Sequence, residues 1–319
     1  MSAPPVTTST PTTRPPKAVQ QRGDRLFAGA ARGAGIFILV VLAGVAAFLV
    51  IQAIPAIVAP AASLPGGLSL FAYIGPLVFG TLLSALIALV IATPLAVAVA
   101  LFITHYAPRK LAQGLGYLID LLAAVPSIVY GLWGVAVLAP ASLPLMGWLN
   151  NYFSWIPLFA GPVSATGRTM LVVSVTLAVM ILPIITAVSR EVFLQTPKLH
   201  EEAALALGAT RWEMIRMSVL PFGRSGIISG AMLGLGRALG ETMAVAIILS
   251  GSGIITFNLI SSSNPSSIAA NIALQFPDST GLAVNTLIAS GLVLFIITLL
   301  VNSIARYIIN RRREFSGAN

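Results

Sequence analysis

Between Gly226 and Ser250 the chain carries only two ionisable side chains, Arg237 and Glu241, within the stretch GRALGETMAV at residues 236–245. A guanidinium is permanently charged and presents its donors in a planar fork that matches the oxygens of an oxyanion. A carboxylate four residues later can neutralise it. On a continuous helix, taking Gly234 as zero, Arg237 falls at about 300°, Glu241 at about 340°, Gly230 at about 320° and Ala238 at about 40°. Both charges then share a face with a small-residue ridge (Gly226, Gly230, Gly234, Ala238), which suits close contact with a neighbouring helix and not with lipid. An arginine near the centre of a bilayer costs about 2.5 to 3.5 kcal/mol, so it must be compensated. Two readings follow. The pair neutralises itself and locks its helix to a neighbour, or Arg237 offers charge and bidentate donors to an anion while Glu241 holds the guanidinium. Buried pairs often add no net stability, and acid after base is the less favourable order on a helix; both points favour the second reading.

The elements that must position these residues are membrane spans. Of the 319 residues 57% are hydrophobic and only 8% charged, far below the roughly 25% charged residues of soluble domains. An all-α integral membrane protein is predicted, with six apolar runs near the 20 residues a span requires: 33–58, 74–103, 115–139, 169–189, 223–250 and 283–309. Pro94, Pro126 and Pro183 lie inside the second, third and fourth runs and are expected to kink them. Residues 1–32 read as a basic tail whose first part, rich in Pro, Thr and Ser, is too polar to pack. The run from Gly33 is too long for a secretory signal and is expected to remain as the first span. Sixteen of the eighteen Lys and Arg residues fall on one side of this arrangement, which predicts cytoplasmic termini. On the other side, WLNNYFSW at 148–155 reads as an interfacial aromatic loop, and the polar stretch 261–281 as a surface loop or a segment dipping back toward the membrane. Asp120 reads as an acid near the start of the third helix, suited to the macrodipole there.

The longest basic-side loop, 190–222, reads as helix, tight turn, helix. Thr196 and Pro197 suit the first helix start, Gly208 suits a left-handed stop, and Thr210 with Glu213 forms a capping box. Glu202-Ala203-Ala204, Gly208 and Leu220-Pro221 resemble the EAA loop of ABC importer permeases, with a departure at Ser218, where an aliphatic residue is usual and Val219 stands next to it. The blocks EAALALGATRWEMIR, VLPFGRSGI, GLGRALGETMAV and DLLAAVPSIVYGLWG (120–134) resemble the PstC-type permease subunits of ABC phosphate importers from about residue 70 onward. The resemblance implies the ABC type I importer permease (MetI-like) fold. It makes Glu202, Ala203, Ala204, Gly208, Thr210 and Trp212 the coupling residues toward an ATPase, while the second reading of the charged pair makes Arg237 and Glu241 the substrate-path residues. It further implies a second, PstA-like permease, a cytoplasmic ATPase dimer, an extracytoplasmic phosphate-binding protein, phosphate as cargo and a bacterial plasma membrane. Another oxyanion such as sulfate or molybdate, or a non-transporting membrane scaffold, stand as alternatives.

Catalytic chemistry finds no support in the residues. There is no G-x-x-x-x-G-K-[ST] for nucleotide, no G-x-S-x-G nucleophile, and no cysteine for thiolate chemistry. His105 and His200 lie in separate loops without metal-ligand spacing, so neither metal nor cofactor is expected. The net charge of +9 is dispersed between apolar runs without an aromatic-rich basic patch, which favours anionic lipid over nucleic acid.

Overall fold

The computed structural model describes residues 22–313, and the expectations for residues 1–21 and 314–319 lie outside them. Residues up to Phe48 form one unit, helical from Arg22, and residues from Leu49 form the other. Helix α1 is Arg22–Val58, so the helix starts eleven residues before the predicted span and includes part of the expected tail.

The second unit is all-helical among the described residues apart from one isolated bridge between Ser252 and Pro265. Helix α2 (Leu70–Leu101) opens with the Ser69 hydroxyl accepting from the Ala72 amide at 3.3 Å and runs into a π turn, Phe102–Tyr106. The predicted third span divides. Helix α3 (Arg109–Ala123) stops before Pro126, which has no amide donor and pushes Val125 out of helical geometry. Helix α4 (Ser127–Trp133), a π turn (Gly134–Leu138) and helix α5 (Ala139–Phe153) follow, so the apolar helix long enough to cross is Ser127–Phe153. The aromatic stretch expected as a loop therefore lies mostly at the end of α5, where Trp148 packs on Phe153 with centroids 5.4 Å apart.

Helix α6 (Met170–Leu194) is the centre of the packing. On one side α2 presents Ala85, Ala88, Ala92, Ala96 and Ala100, all fully buried and mostly four residues apart, a smooth small-residue strip that lets the two helices approach closely. On the other side lies α9 (Leu220–Leu239), whose glycines meet α6 as the small-residue ridge predicts. A β-carbon at Gly230 would stand 3.4 Å from the Ile185 carbonyl oxygen, and one at Gly234 only 3.0 Å from the Ile185 side chain. Between α6 and α9 the chain forms α7 (Lys198–Ala206), α8 (Arg211–Met214) and a π turn, Ile215–Val219. Pro221 stands in the first turn of α9, directly after that π turn.

The sequence-predicted span 223–250 is not one helix. It breaks at Gly240–Glu241–Thr242 into α9 and a short α10 (Met243–Ile248). Among the described residues five helices are long and apolar enough to cross a membrane, and this broken segment stands in place of the expected sixth. The following stretch is not a surface loop. Asn258, Leu259, Ile260 and Asn264 to Ile268 are buried, the Asn264 side chain accepts from the Met170 amide at 2.9 Å, and the Thr81 hydroxyl of α2 accepts from the Ile268 amide at 2.9 Å. These bonds seat the segment against the start of α6 and a buried face of α2 before α11 (Ile268–Gln275) and α12 (Leu282–Arg313) complete the chain.

Because the α6–α9 contact has no room at Gly226, where a β-carbon would overlap Val192, Gly226→Leu should destabilise the purified protein by roughly 1–3 kcal/mol or more. Gly236, with nothing near its missing β-carbon, should accept alanine within about 0.5 kcal/mol. Thermal unfolding of the two variants in detergent checks this ordering.

Candidate functional site in a broken helix

The break separates the two charged residues that a continuous helix would have paired. Arg237 lies in the last turn of α9, whose unpaired carbonyls carry partial negative charge. Glu241 is past that helix, 7% exposed, and its Oε1 accepts from the Ala244 amide of α10 at 3.1 Å. It thus fills the role of an N-cap one turn ahead of its acceptor, against the positive end of the second helix. Among the described residues no carboxylate stands within 4.0 Å of Arg237, so the expected Arg237–Glu241 ion pair is not formed. The reason is local. Gly240 is a poor helix continuer, and a carboxylate that caps a backbone amide gains a hydrogen bond which it would lose by turning to the guanidinium.

The far end of α10 is held by Arg168, one of the two basic residues outside the sixteen that the sequence places on one side. Arg168 is half-buried; its Nε donates to the Ile248 carbonyl at 3.0 Å and its Nη2 to the Ile247 carbonyl at 2.6 Å. A six-residue helix is therefore fixed by an acid at its start and a base at its end, the arrangement that its dipole favours. The one clue in the sequence was that Arg168 is the lone cation on a side otherwise cleared of them. Near the same break, Tyr130 of α4 is buried, lies within electrostatic reach of Arg237, and donates its hydroxyl to the Leu122 carbonyl at 2.8 Å.

The second group of predicted residues gathers at the α7–α8 turn. Gly208 adopts φ +87°, the left-handed stop that its position predicts. Thr210 forms the predicted box: its hydroxyl accepts from the Glu213 amide at 3.3 Å while Glu213 Oε2 accepts from the Thr210 amide at 2.7 Å. The Thr210 amide, and then its hydroxyl, hold the exposed Glu213 carboxyl below its ordinary range. Thr196 does not cap α7, because Pro197 occupies the cap position and the Thr196 hydroxyl is buried without a partner. Ala204 is buried with Met214, Ile215 and Val219 against Phe193 of α6, whereas Glu202, Ala203 and Trp212 face outward. Ser218 costs the loop little: Val219 takes the buried position beside it, and the Ser218 hydroxyl donates to the His200 carbonyl at 3.4 Å. Leu207, at 90% exposure, and Trp212 leave an apolar surface on this unit. His105, at the end of α2, stands 3.6 Å from Glu201 of α7 and ties the loop to that helix. His105 and His200 are not part of any cluster of metal ligands among the described residues.

A helical bundle with, among the described residues, five helices long and apolar enough to cross a membrane defines a multi-pass membrane protein. The family model described as "Binding-protein-dependent transport system inner membrane component" matches residues 92–314, and the chain belongs to that family, which is a transporter permease family and not a class of catalysts. Among curated relatives, the "Phosphate transport system permease protein PstC 2" of Mycobacterium tuberculosis is 46% identical over 90% of this chain and 92% of its own. The "Phosphate transport system permease protein PstC" of Mycobacterium leprae is 45% identical over 91% and 94%. The protein of the same name from Mesorhizobium japonicum is 38% identical over 92% of each chain. Among solved structures, a chain of a bacterial ABC transporter described as importing the acidic polysaccharide alginate superposes with a TM-score of 0.55 at 16% identity, over 90% of this chain and 99% of that one. This places the fold among the ABC importer permeases.

Two outcomes follow from the caps. Arg168→Ala leaves the Ile247 and Ile248 carbonyls without donors and should destabilise α10 by about 1–3 kcal/mol, read as faster amide exchange from Val245 to Leu249. At the α7–α8 turn the depressed Glu213 carboxyl contributes stability that is fully present above its unfolded value of about 4.3 and is lost as the pH falls through its lower folded value. Protection of the 211–214 amides, corrected for intrinsic exchange, should show that acid-side loss in the natural sequence and not in Glu213→Gln.

Proposed function

We propose that this chain is a transmembrane permease subunit of an ATP-driven importer of inorganic phosphate and forms half of the translocation path. The carrying observation is the 38–46% identity with phosphate permeases over nine-tenths of the chain. The broken segment supplies the chemistry. A guanidinium at the end of α9 that is not engaged by a carboxylate has its planar donors free for phosphate oxygens. Glu241 keeps the break open by capping α10, so an anion need not displace a carboxylate to reach Arg237. A path must attract its ion and still release it, and one arginine beside a negative helix end meets both demands.

On this reading the 190–222 loop is the coupling device. Its buried face is anchored on α6 through Ala204, Met214 and Phe193, and its exposed face at Glu202, Ala203, Gly208 and Trp212 enters a groove on a cytoplasmic ATPase dimer. The remaining partners are a PstA-like permease and an extracytoplasmic phosphate-binding protein. The complex sits in the bacterial plasma membrane with both termini of this chain in the cytoplasm, the orientation that the distribution of basic residues favours.

The test is ATP-dependent phosphate uptake by proteoliposomes holding the co-purified complex, with sulfate as competitor. Arg237→Gln should reduce uptake at least tenfold, about the effect of losing a charged hydrogen-bond donor, while the complex still assembles, and Arg237→Lys should retain part of the rate. Full uptake in both variants would overturn the role of Arg237, and equal inhibition by sulfate would overturn phosphate as the cargo.

A further inference from the structure

Arg190 lies near the end of α6 that leads into α7, and its guanidinium rests on the backbone of Gly116 in α3; a β-carbon at 116 would overlap it. Gly116 is buried and Arg190 half-buried, yet Arg190 has no hydrogen-bond acceptor and no carboxylate within 4.0 Å among the described residues. A partly desolvated cation in that state is uncompensated, a costly condition unless an anion is supplied from outside.

The surroundings fit such an anion. Arg190 shares a cleft of about 410 Å³ with Arg109, Gln113, Tyr117 and Asp120, within the usual range of about 300–1,000 Å³ for small-molecule sites. On α3, Arg109, Gln113, Gly116 and Asp120 fall within about 60° of one another, so one polar strip faces the cleft. Leu111 and Leu118, on the opposite side of that helix, are exposed, as in a helix that rests its apolar face in the membrane interface. The two guanidinium groups outnumber the one carboxylate, and Asp120 pairs with neither at ion-pair distance. The planar forks and the neutral amide donor of Gln113 match a tetrahedral oxyanion better than they match each other.

We propose that this cleft between α3 and the end of α6 binds a phosphate group at the membrane surface, with Arg190 and Arg109 as its principal ligands. The same chemistry has two sources, the headgroup of an anionic phospholipid and inorganic phosphate; only the second rests on the transport reading above.

Binding is measured on the intact, delipidated complex. In one arm phosphatidylglycerol or phosphatidylcholine is supplied in nanodiscs and retained lipid is counted by native mass spectrometry. In the other, radiolabelled inorganic phosphate is titrated without lipid. The expected result is retention of phosphatidylglycerol over phosphatidylcholine, or saturable phosphate binding, at least about tenfold stronger in the natural chain than in Arg190→Gln, with Arg190→Lys intermediate. Arg109→Gln, on an exposed residue, repeats the measurement if Arg190→Gln fails to assemble. Binding confined to the lipid arm assigns the headgroup, and mutual competition between the arms assigns one site to both. Equal binding of both probes by natural and variant complexes overturns the proposal. If that occurs while the natural complex still imports phosphate, the cleft assignment fails and the transport reading stands.

Discussion

A charge held inside a membrane protein must be compensated without water, and the most economical compensators in a helical bundle are the ends of its helices. The break at 240–242 creates two such ends where a continuous helix would have had none. Arg237 sits at the negative end of α9, Glu241 caps the positive end of α10, and Arg168 closes the negative end of α10 through two carbonyls. Each charge is answered by backbone. The guanidinium of Arg237 consequently remains available, which a side-chain ion pair would have prevented.

This arrangement needs a rigid surround, and α6 provides it. The alanine strip of α2 and the glycine ridge of α9 both pack on it without gaps, and such close-packed contacts move as bodies and do not deform smoothly. Near its end the same helix carries Phe193, against which the α7–α8 unit is packed, and His105 makes a second tie from the end of α2 to Glu201. The buried segment 258–268, knitted by Asn258, Asn264 and Thr81, packs against those helices from the opposite end of α6.

Legibility in the sequence followed the range of the interactions. Hydropathy matches apolar helices at four of the six predicted runs, 33–58, 74–103, 169–189 and 283–309, because burial in lipid depends on composition over twenty residues, and spacing points to the glycine ridge, the Gly208 stop and the Thr210–Glu213 box because these depend on neighbours within a turn or two. Competing interactions lie outside that range. Pro126 within an apolar run predicts a kink, but the helix stops there completely, and the third span is Ser127–Phe153. Arg237 and Glu241 were placed on one face because a 3.6-residue period assumes an unbroken helix, and the gain from capping Ala244 overrode it. Arg168 was missed because its acceptors, Ile247 and Ile248, lie some eighty residues away and are backbone carbonyls. The polar stretch 261–281 reads equally as a surface loop or a segment dipping back, because its side chains satisfy buried backbone amides and carbonyls that composition cannot display.

The central claim is that Arg237 and Glu241 act separately, one on the anion and the other on the helix break. The charge-exchanged double variant Arg237→Glu with Glu241→Arg, compared with each single substitution for phosphate uptake by the reconstituted complex, tests it most directly. Independent roles predict no rescue, with the double variant more impaired than either single one and the Glu241→Gln and Arg237→Gln effects additive within about 0.5 kcal/mol. Restoration of uptake by the exchange would mean that the two residues work as an ion pair, and would contradict the account.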